Sequence, residues 1–353
     1  MIWNNKAKIV PRCSLLQIVM PSSCEICGQI PEWISSQKGL YLLDLSGNNL
    51  EWILLYWLAE MNIPTIVLFV NQLTGSILPR LFESTRLMIL QLSHNNFSGK
   101  LPENIGNAQA MAILMLSRNH FSGQIPISMS NVLNQPRAFR LIQKQPNSSS
   151  SSPKKQLIPL KDLSHEQSPT SLISEFLISP AGNKLIGSIP LEIANFTRMI
   201  ETPVHMSTSS LIFNQTSDFY ISENNDQIDI EIEDLIVNWK SYFQGLLSHS
   251  LDIYPFLDLS NNRISGQIPA LLGNLQGLKV LNISNNNISG RSQSLAKLGE
   301  LTILDMSNKK LTGKIPLGGQ MNTMNELKYF AINNGFCGMQ IKITEDIPPT
   351  RRG

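Results

Sequence analysis

Apolar residues recur along most of this chain at a fixed spacing, and the stretch Leu257–Pro269 shows the unit most clearly. Two leucines, Leu257 and Leu259, are followed by Asn262 and then by an Ile-Ser-Gly-Gln-Ile-Pro segment. Side chains two residues apart lie on one face of a strand, so the two leucines predict a short strand that buries one side. One such unit has too little apolar surface for a core of its own, so the pattern predicts units that stack.

The unit returns at intervals of 23 or 24 residues wherever copies are contiguous, which is the sequence signature of a solenoid. An asparagine marks each copy where the chain turns in from the strand, and its amide can bond both the donors and the acceptors of a buried turn. Lys309 replaces this asparagine in one copy, so the lysine must point outward or leave turn amides without a partner. We expect a ladder of inward asparagines at Asn48, Asn71, Asn95, Asn119, Asn262 and Asn286.

The positions that alternate with the inward leucines should face solvent on the concave side of the sheet, where a ligand could bind. Val67, Phe69 and Met115 are the informative members, because apolar side chains on a wet face suggest a contact. Alternatively, most of these positions only solvate the sheet. The candidates are Asp44, Ser46, Val67, Phe69, Gln91, Ser93, Met115, Ser117, Asp258 and Ser260, with Asp305 and Ser307 in a later copy.

The units resemble plant-type leucine-rich repeats, and the chain as a whole resembles part of a plant leucine-rich-repeat receptor-like protein. The Ser/Thr-Gly-x-Ile-Pro half of each unit is typical of the plant-specific subtype. The resemblance implies an α/β solenoid, namely a horseshoe with a parallel concave β-sheet, interrupted by a linker and an island segment. The string from Asp234 to Lys240 is similar to the family's island, which in related steroid-hormone receptors folds back over the concave face and helps form the ligand site. Asp234, Trp239 and Lys240 are therefore island candidates.

The repeat pattern also predicts how the chain is divided. The interval from Asn119 to Asn183 is 64 residues and not a multiple of 24, so the segment between them is either a true interruption or a sequence defect that replaced several coils. The family closes its C-terminal cap with a disulfide, whereas Cys337 has no partner downstream, so an incomplete cap is expected. The segments are an unassigned N-terminal stretch 1–18, an N-terminal repeat block 19–135, an irregular low-complexity linker 136–176, a degenerate repeat 177–197, the island 198–250, a C-terminal repeat block 251–323, and a partial cap and tail 324–353.

The composition and the absence of known motifs exclude several classes of function. The chain is 42% hydrophobic and 15% charged, which suits a folded protein, and its net charge of +2 gives no reason to expect a nucleic-acid partner. It contains no glycine-rich phosphate loop, no kinase element and no Gly-x-Ser-x-Gly elbow, so neither a catalytic site nor a cofactor is expected. Cys24 and Cys27 lack a second pair at zinc-ligand spacing, so no metal site is expected either.

Targeting signals are weak. The apolar run 15–20 is too short for a signal peptide, and Glu60, Asn62 and Pro64 interrupt the only long apolar stretch, so no spanning helix is expected. Glycosylation sequons are compatible with a secreted origin. They lie at Asn96, Asn147, Asn195, Asn214, Asn282 and Asn287.

The resemblance implies a non-catalytic receptor-like protein that binds an extracellular peptide, glycan or small molecule through its concave face and island. It also implies partner co-receptor kinases and a place at the extracellular face of the plasma membrane, with an anchoring C-terminal helix that this chain lacks. Two alternatives stay open. One is a soluble leucine-rich-repeat inhibitor of a cell-wall enzyme, which the island argues against, and the other is a truncated or degenerate gene product without independent activity.

Overall fold

The structure is a computed structural model. It describes residue 16 and residues 18–19, 22–51, 53, 56–133, 177–196, 236–239, 242–245, 255–317, 319–324 and 329–337. These residues fall in two compact units. The first contains all the repeats, and the second contains the hairpin at residues 236–245.

The repeats of the first unit build a parallel sheet, here called the concave sheet. Its nine described strands are each two or three residues long and are ordered as they occur in the chain. Equivalent residues pair in register, for example Leu43 with Ile66 and Ile66 with Leu90. The strands are Ile18–Val19, Leu42–Asp44, Thr65–Val67, Ile89–Gln91, Ile113–Met115, Leu177–Ser179, Phe256–Asp258, Val280–Asn282 and Ile303–Asp305.

The inward leucines of successive strands form one continuous core. Leu45, Leu92, Leu116 and Leu259 are fully buried and belong to a single hydrophobic cluster. Phe97 and Phe121 are stacked in this core, with ring centroids 6.1 Å apart and ring planes only 6° from parallel. Parallel strands and a shared leucine core confirm the predicted leucine-rich-repeat solenoid.

A second set of strands follows the ladder asparagines and is here called the lateral sheet. It consists of two four-stranded parallel sheets joined by a single bridge between Ser188 and Ser265. The strands of the first sheet are Thr74–Gly75, Asn96–Lys100, His120–Gly123 and Lys184–Leu185, and those of the second are Ser265–Gln267, Asn287–Gly290, Lys309–Lys314 and Asn333–Cys337. Nearer the N-terminus, Cys27–Gly28 pairs with Asn49–Leu50.

Short helical turns complete each coil after the Ile-Pro segment. Pro has no amide hydrogen to give to a sheet and is favoured at or near the start of a helical turn, so these segments end strand pairing. The one described α-helix is Tyr56–Glu60. The 3-10 helices are Glu32–Ser36, Pro79–Glu83, Ile105–Asn107, Ile127–Leu133, Leu191–Asn195, Ala270–Asn274, Gln293–Lys297 and Gly319–Thr323.

Each ladder asparagine bonds its own coil and the preceding one. The Nδ2 of Asn95 donates to the carbonyl oxygens of Leu68, Leu92 and Ser93 at 2.9–3.3 Å. Its Oδ1 accepts from the amide of Leu73 at 3.0 Å. Asn333 makes the equivalent bonds, so a further coil follows Lys309 that the sequence pattern did not reveal.

Lys309 lies inside the stack instead of pointing outward. Its side chain is buried and, among the described residues, its Nζ has no hydrogen-bond partner. Since the oxygens of ladder asparagines accept amides such as that of Ile264, a lysine in this place leaves the equivalent Ile288 amide without that acceptor.

The long gap between Asn119 and Asn183 does not interrupt the concave sheet. Ile113 pairs directly with Leu177, and the Asn183 side chain joins the ladder by donating to Leu116. Pro180 stands at an inward position, and its carbonyl oxygen still accepts from Asn183. The linker itself, residues 136–176, lies outside the described residues.

The second unit shows an antiparallel hairpin. Ile236–Trp239 pairs with Tyr242–Gly245, with Trp239 opposite Tyr242 across a two-residue connection. The island candidates Asp234 and Lys240 lie outside the described residues.

Candidate functional site

The concave sheet places the predicted ligand-contact positions in columns across successive strands. Asp44, Val67, Gln91 and Met115 are Cα partners on neighbouring strands, and the same column continues through Ser179. On the C-terminal side, Asp258, Asn282 and Asp305 are Cα partners in the same way. Adjacent strands are about 4.8 Å apart, so neighbouring side chains in a column touch.

Short hydrogen bonds fix many of these side chains along the sheet. The Ser46 amide and Oγ both donate to Asp44 Oδ1, at 2.9 and 2.6 Å. Ser307 binds Asp305 in the same way, at 3.0 and 2.8 Å. The column that contains Asp44 and Asp305 is therefore hydrogen-bonded, before any ligand arrives, to a second column that contains Ser46 and Ser307.

The expectation that these side chains face solvent is wrong for most of them. Side-by-side packing of equivalent positions and bonds such as Ser117 Oγ to Ser93 Oγ, at 3.0 Å, remove much of their surface from water. Of the candidates, only Asp44, Val67, Phe69 and Ser307 keep intermediate exposure. The buried ones are Ser46, Gln91, Ser93, Met115, Ser117, Asp258, Ser260 and Asp305.

The three apolar candidates differ in their exposure to solvent. Met115 is 1% exposed, so it is not an apolar residue on a wet face. Val67 and Phe69 are half-buried; Val67 is the last residue of the strand Thr65–Val67, and Phe69 follows two residues later. They and Asp44, with Ser307 in the C-terminal strands, are the part of the candidate set that a ligand could reach.

The sequence analysis missed a third column, at the start of each strand. These side chains precede the first inward leucine and are apolar in every strand except at Thr65. The sequence signal for this column was an apolar residue directly before the first inward residue of each strand, with Thr65 as the exception. Its buried members outside the hydrophobic core cluster include Leu42, Ile89, Ile113, Leu177, Phe256 and Val280.

Three ionisable side chains are buried in the C-terminal coils: Asp258, Asp305 and Lys309. Desolvation raises the pKa of Asp258 to about 6, although bonds from Ser260 and Asn282 oppose the rise. Desolvation lowers the pKa of Lys309 to about 7, against the opposing effect of the Asp305 and Asp258 charges. Asp258 and Lys309 share one low-dielectric region, so their ionisation states depend on each other.

His94 and Arg118 stand at the ends of neighbouring strands. Partial burial first, and the Arg118 charge second, lower the pKa of His94 to about 4. Both residues have positive φ, 57° and 53°, as does the residue before each other ladder asparagine from Gly47 to Ile332. This position is thus a left-handed turn and not part of the sheet face.

The glycosylation candidates differ in accessibility. Asn96, Asn195 and Asn287 are exposed, whereas Asn282 is 4% exposed and its Oδ1 accepts from Ser284. A glycan at Asn282 does not fit this packing. Asn147 and Asn214 lie outside the described residues.

The other predicted features are the island residue Trp239, the cysteines and the membrane helix. Trp239 lies in the hairpin strand of the second unit. Within the described ranges, no group of three or more His, Cys, Asp or Glu side chains is placed to hold a metal, and Cys24, Cys27 and Cys337 are free thiols. No helix in the described part of the chain has both the length and the apolar character needed to cross a bilayer.

Comparison with known proteins agrees with this architecture. Family models described as leucine-rich repeat match residues 256–311 and 86–108. Receptor-like protein 9b of Arabidopsis thaliana is 40% identical over 90 residues, which are 25% of this chain and 9% of that protein. Receptor-like protein 46 of the same plant is 50% identical over 56 residues, which are 15% of this chain and 7% of that protein. Over these segments the chain carries leucine-rich repeats and is similar to plant receptor-like proteins.

The solenoid fold is also found in solved structures of plant receptors. The Arabidopsis receptor kinase HAESA, solved in complex with the peptide hormone IDA and the co-receptor SERK1, superimposes with a TM-score of 0.53. The match covers 92% of this chain and 42% of that one at 23% identity, so it speaks for the fold alone. The matched segment of this chain covers less than a tenth of the length of either curated relative.

Proposed function

We propose that this chain recognises an extracellular ligand through the N-terminal part of its concave sheet and has no catalytic role. The observation that carries the proposal is the set of Asp44, Val67 and Phe69, which combine a carboxylate with two apolar side chains at intermediate exposure. Most other candidate positions are buried, so this set is where the candidate surface remains open to a ligand.

The surface is organised before binding. The Asp44 carboxylate is held by Ser46, and Val67 is in register with Asp44 on the neighbouring strand. A ligand that meets side chains already fixed in place loses less conformational entropy on binding. A carboxylate beside apolar groups fits a short peptide that carries a basic residue next to apolar ones.

A peptide ligand is also supported by the HAESA complex, in which a related solenoid binds a peptide hormone together with a co-receptor. By this analogy the receptor-like protein would work at the extracellular face of the plasma membrane and would signal through partner receptor kinases.

The proposal is tested by capturing peptides from the secreted fraction of plant cell cultures. The full chain, a Val67→Ser/Phe69→Ser variant and an Ile127→Ser control are immobilised, and retained peptides are identified by mass spectrometry. Ile127 is 59% exposed and lies on a 3-10 helix away from the concave sheet, so the control also removes exposed apolar surface. Peptides retained by the wild type and control but lost from the variant support the proposal. Equal retention by all three proteins contradicts it.

A further inference from the structure

The lateral sheet presents a second organised surface, on a different side of each coil. Its residues alternate between core positions, such as Phe121 and Ile264, and outward positions. Basic side chains recur at the outward positions of six successive coils, and all of them are exposed. They are Lys100, His120, Lys184, Arg263, Arg291, Lys310 and Lys314, which together with the outward residues between them are called the basic lateral face.

The charge of this face has one sign. No Asp or Glu occurs among its outward residues, although the whole chain has 26 acidic against 28 Lys and Arg residues. The small net charge of the chain therefore hides a strongly basic strip. The neutral outward residues are Asn96, Ser98, Ser122, Gln124, Ile186, Ser188, Ser265, Gln267, Asn287, Ser289 and Thr312.

Glycines hold the long side chains against the sheet. A Cβ built at Gly123 would lie 2.9 Å from the Lys100 Cγ, and one built at Gly313 would lie 3.7 Å from the Arg291 Cγ. Gly123 thus leaves space for the aliphatic stem of Lys100, whereas the distance at Gly313 is an ordinary contact. Basic side chains laid over apolar or bare backbone surface keep their charged ends in water.

The register spaces the charges regularly. Lys100 is the Cα partner of Ser122, and Ser122 is the Cα partner of Lys184. Two strand spacings separate the lysines, which is about 10 Å, with a hydroxyl between them. A linear polymer with negative charges along its length could meet one cation after another on this face.

We propose that the basic lateral face binds a linear acidic polysaccharide, a chain of sugars that carry carboxylates. Lys and Arg would meet the carboxylates, and the Ser, Thr, Asn and Gln side chains would bond the sugar hydroxyls. The face has no Phe, Tyr or Trp at its outward positions, whereas binding of single-stranded nucleic acid relies on stacking against such rings. Ile186 is its one exposed large apolar side chain, too little for insertion into a bilayer.

The test measures binding of the full chain to polygalacturonate oligomers at low salt. Any N-linked glycan is first removed enzymatically, because Asn96 and Asn287 lie on the face. The variant is Lys184→Gln/Arg263→Gln, and the control is Lys38→Gln/Lys297→Gln, which removes the same charge from exposed lysines outside the lateral sheet. Each cation near an anionic surface contributes about fivefold to affinity, so the variant should bind about 25-fold more weakly. The control should change affinity less than twofold, and the variant should show a shallower dependence on salt.

Several outcomes would overturn the proposal. These are equal affinity of variant and control, no binding of polygalacturonate by the wild type, or tighter binding to single-stranded DNA or to phosphatidylserine vesicles. Fully methyl-esterified oligomers should not bind, because esterification removes the carboxylates. If thermal melting shows that the variant is misfolded, Lys310→Gln/Lys314→Gln replaces it with the same expected loss. Failure here leaves the concave-sheet proposal unaffected, because no residue is shared.

Discussion

Replacing Lys309 with asparagine should stabilise this protein. The lysine occupies a ladder position, is buried, and its Nζ has no hydrogen-bond partner among the described residues. An asparagine there could donate to backbone carbonyls, as Asn286 does to Leu259, Ile283 and Ser284 at 3.0–3.1 Å. Its Oδ1 could accept the amide of Ile288, as Asn286 accepts that of Ile264.

The expected size follows from these bonds. A buried polar group without a partner costs about 1–3 kcal/mol, and Lys309→Asn removes one such group and gives another an acceptor. We expect the free energy of unfolding to rise by about 2–4 kcal/mol, measured by urea denaturation at pH 7. Hydrogen exchange should show slower exchange at the Ile288 amide.

The pH dependence gives a second measure of the same lysine. Its pKa is about 7 in the folded chain, whereas the ordinary pKa of a lysine is 10.5, so between these values the unfolded state binds the extra proton. Stability should therefore rise with pH in this window, by up to about 1.4 kcal/mol per pH unit. Lys309→Asn should remove this slope.

The matched control is Lys310→Asn. Lys310 is the exposed neighbour on the same strand, so the substitution is chemically identical but touches no ladder bond. It should change stability by less than about 0.5 kcal/mol. If Lys309→Asn gives no more stability than Lys310→Asn, the reasoning about the ladder is refuted.

Three further substitutions test other parts of the fold by urea denaturation. Asp258→Asn should stabilise by about 1–3 kcal/mol at pH 7 and remove a loss of stability between about pH 4 and 6. The folded pKa of about 6 exceeds the ordinary aspartate pKa of 3.8, so only the folded state keeps the proton in that window. An unchanged pH profile would contradict this. Val70→Asn should stabilise by about 1 kcal/mol, because Val70 is β-branched and has φ of 55°; a loss would show that its packing outweighs the strain. Gly273→Ala should destabilise by more than about 2 kcal/mol, since its Cβ would lie 2.1 Å from the Ser294 carbonyl oxygen, whereas Gly299→Ala, with nothing within 4 Å, should be nearly neutral.

The fold could be predicted well from the sequence because the regular spacing of leucines and asparagines defines the repeat, and no single residue is decisive. Leu92 and Asn95 have their places fixed by every other copy, and the structure finds them buried. The last coil escaped notice for the same reason. At the two sequence positions where the repeat has leucines, five and three residues before Asn333, the chain has Lys328 and Phe330, so only Asn333 continued the pattern.

The candidate site was less predictable. Alternation along a strand gives the direction of a side chain, but not how much of it neighbouring strands and side chains cover. Met115 and Gln91 point to the expected face and are nevertheless buried, which depends on contacts that no single strand encodes. The basic lateral face was hidden for a related reason, because each coil contributes only one or two of its basic residues, which lie far apart in the sequence.

The departures from the repeat lie together in the chain. Ser292 takes the place of the isoleucine in the Ile-Pro segment, is fully buried, and its Oγ has no partner within the described residues. Lys309 follows in the next coil with the same defect. In a solenoid each coil is stabilised mainly by its two neighbours, so defects in adjacent coils weaken one interface twice. The coils from Asn286 to Asn333 should therefore open at a lower free energy than the rest of the stack, while the coils around Asn95 and Asn119, with complete ladder bonds, hold the fold together.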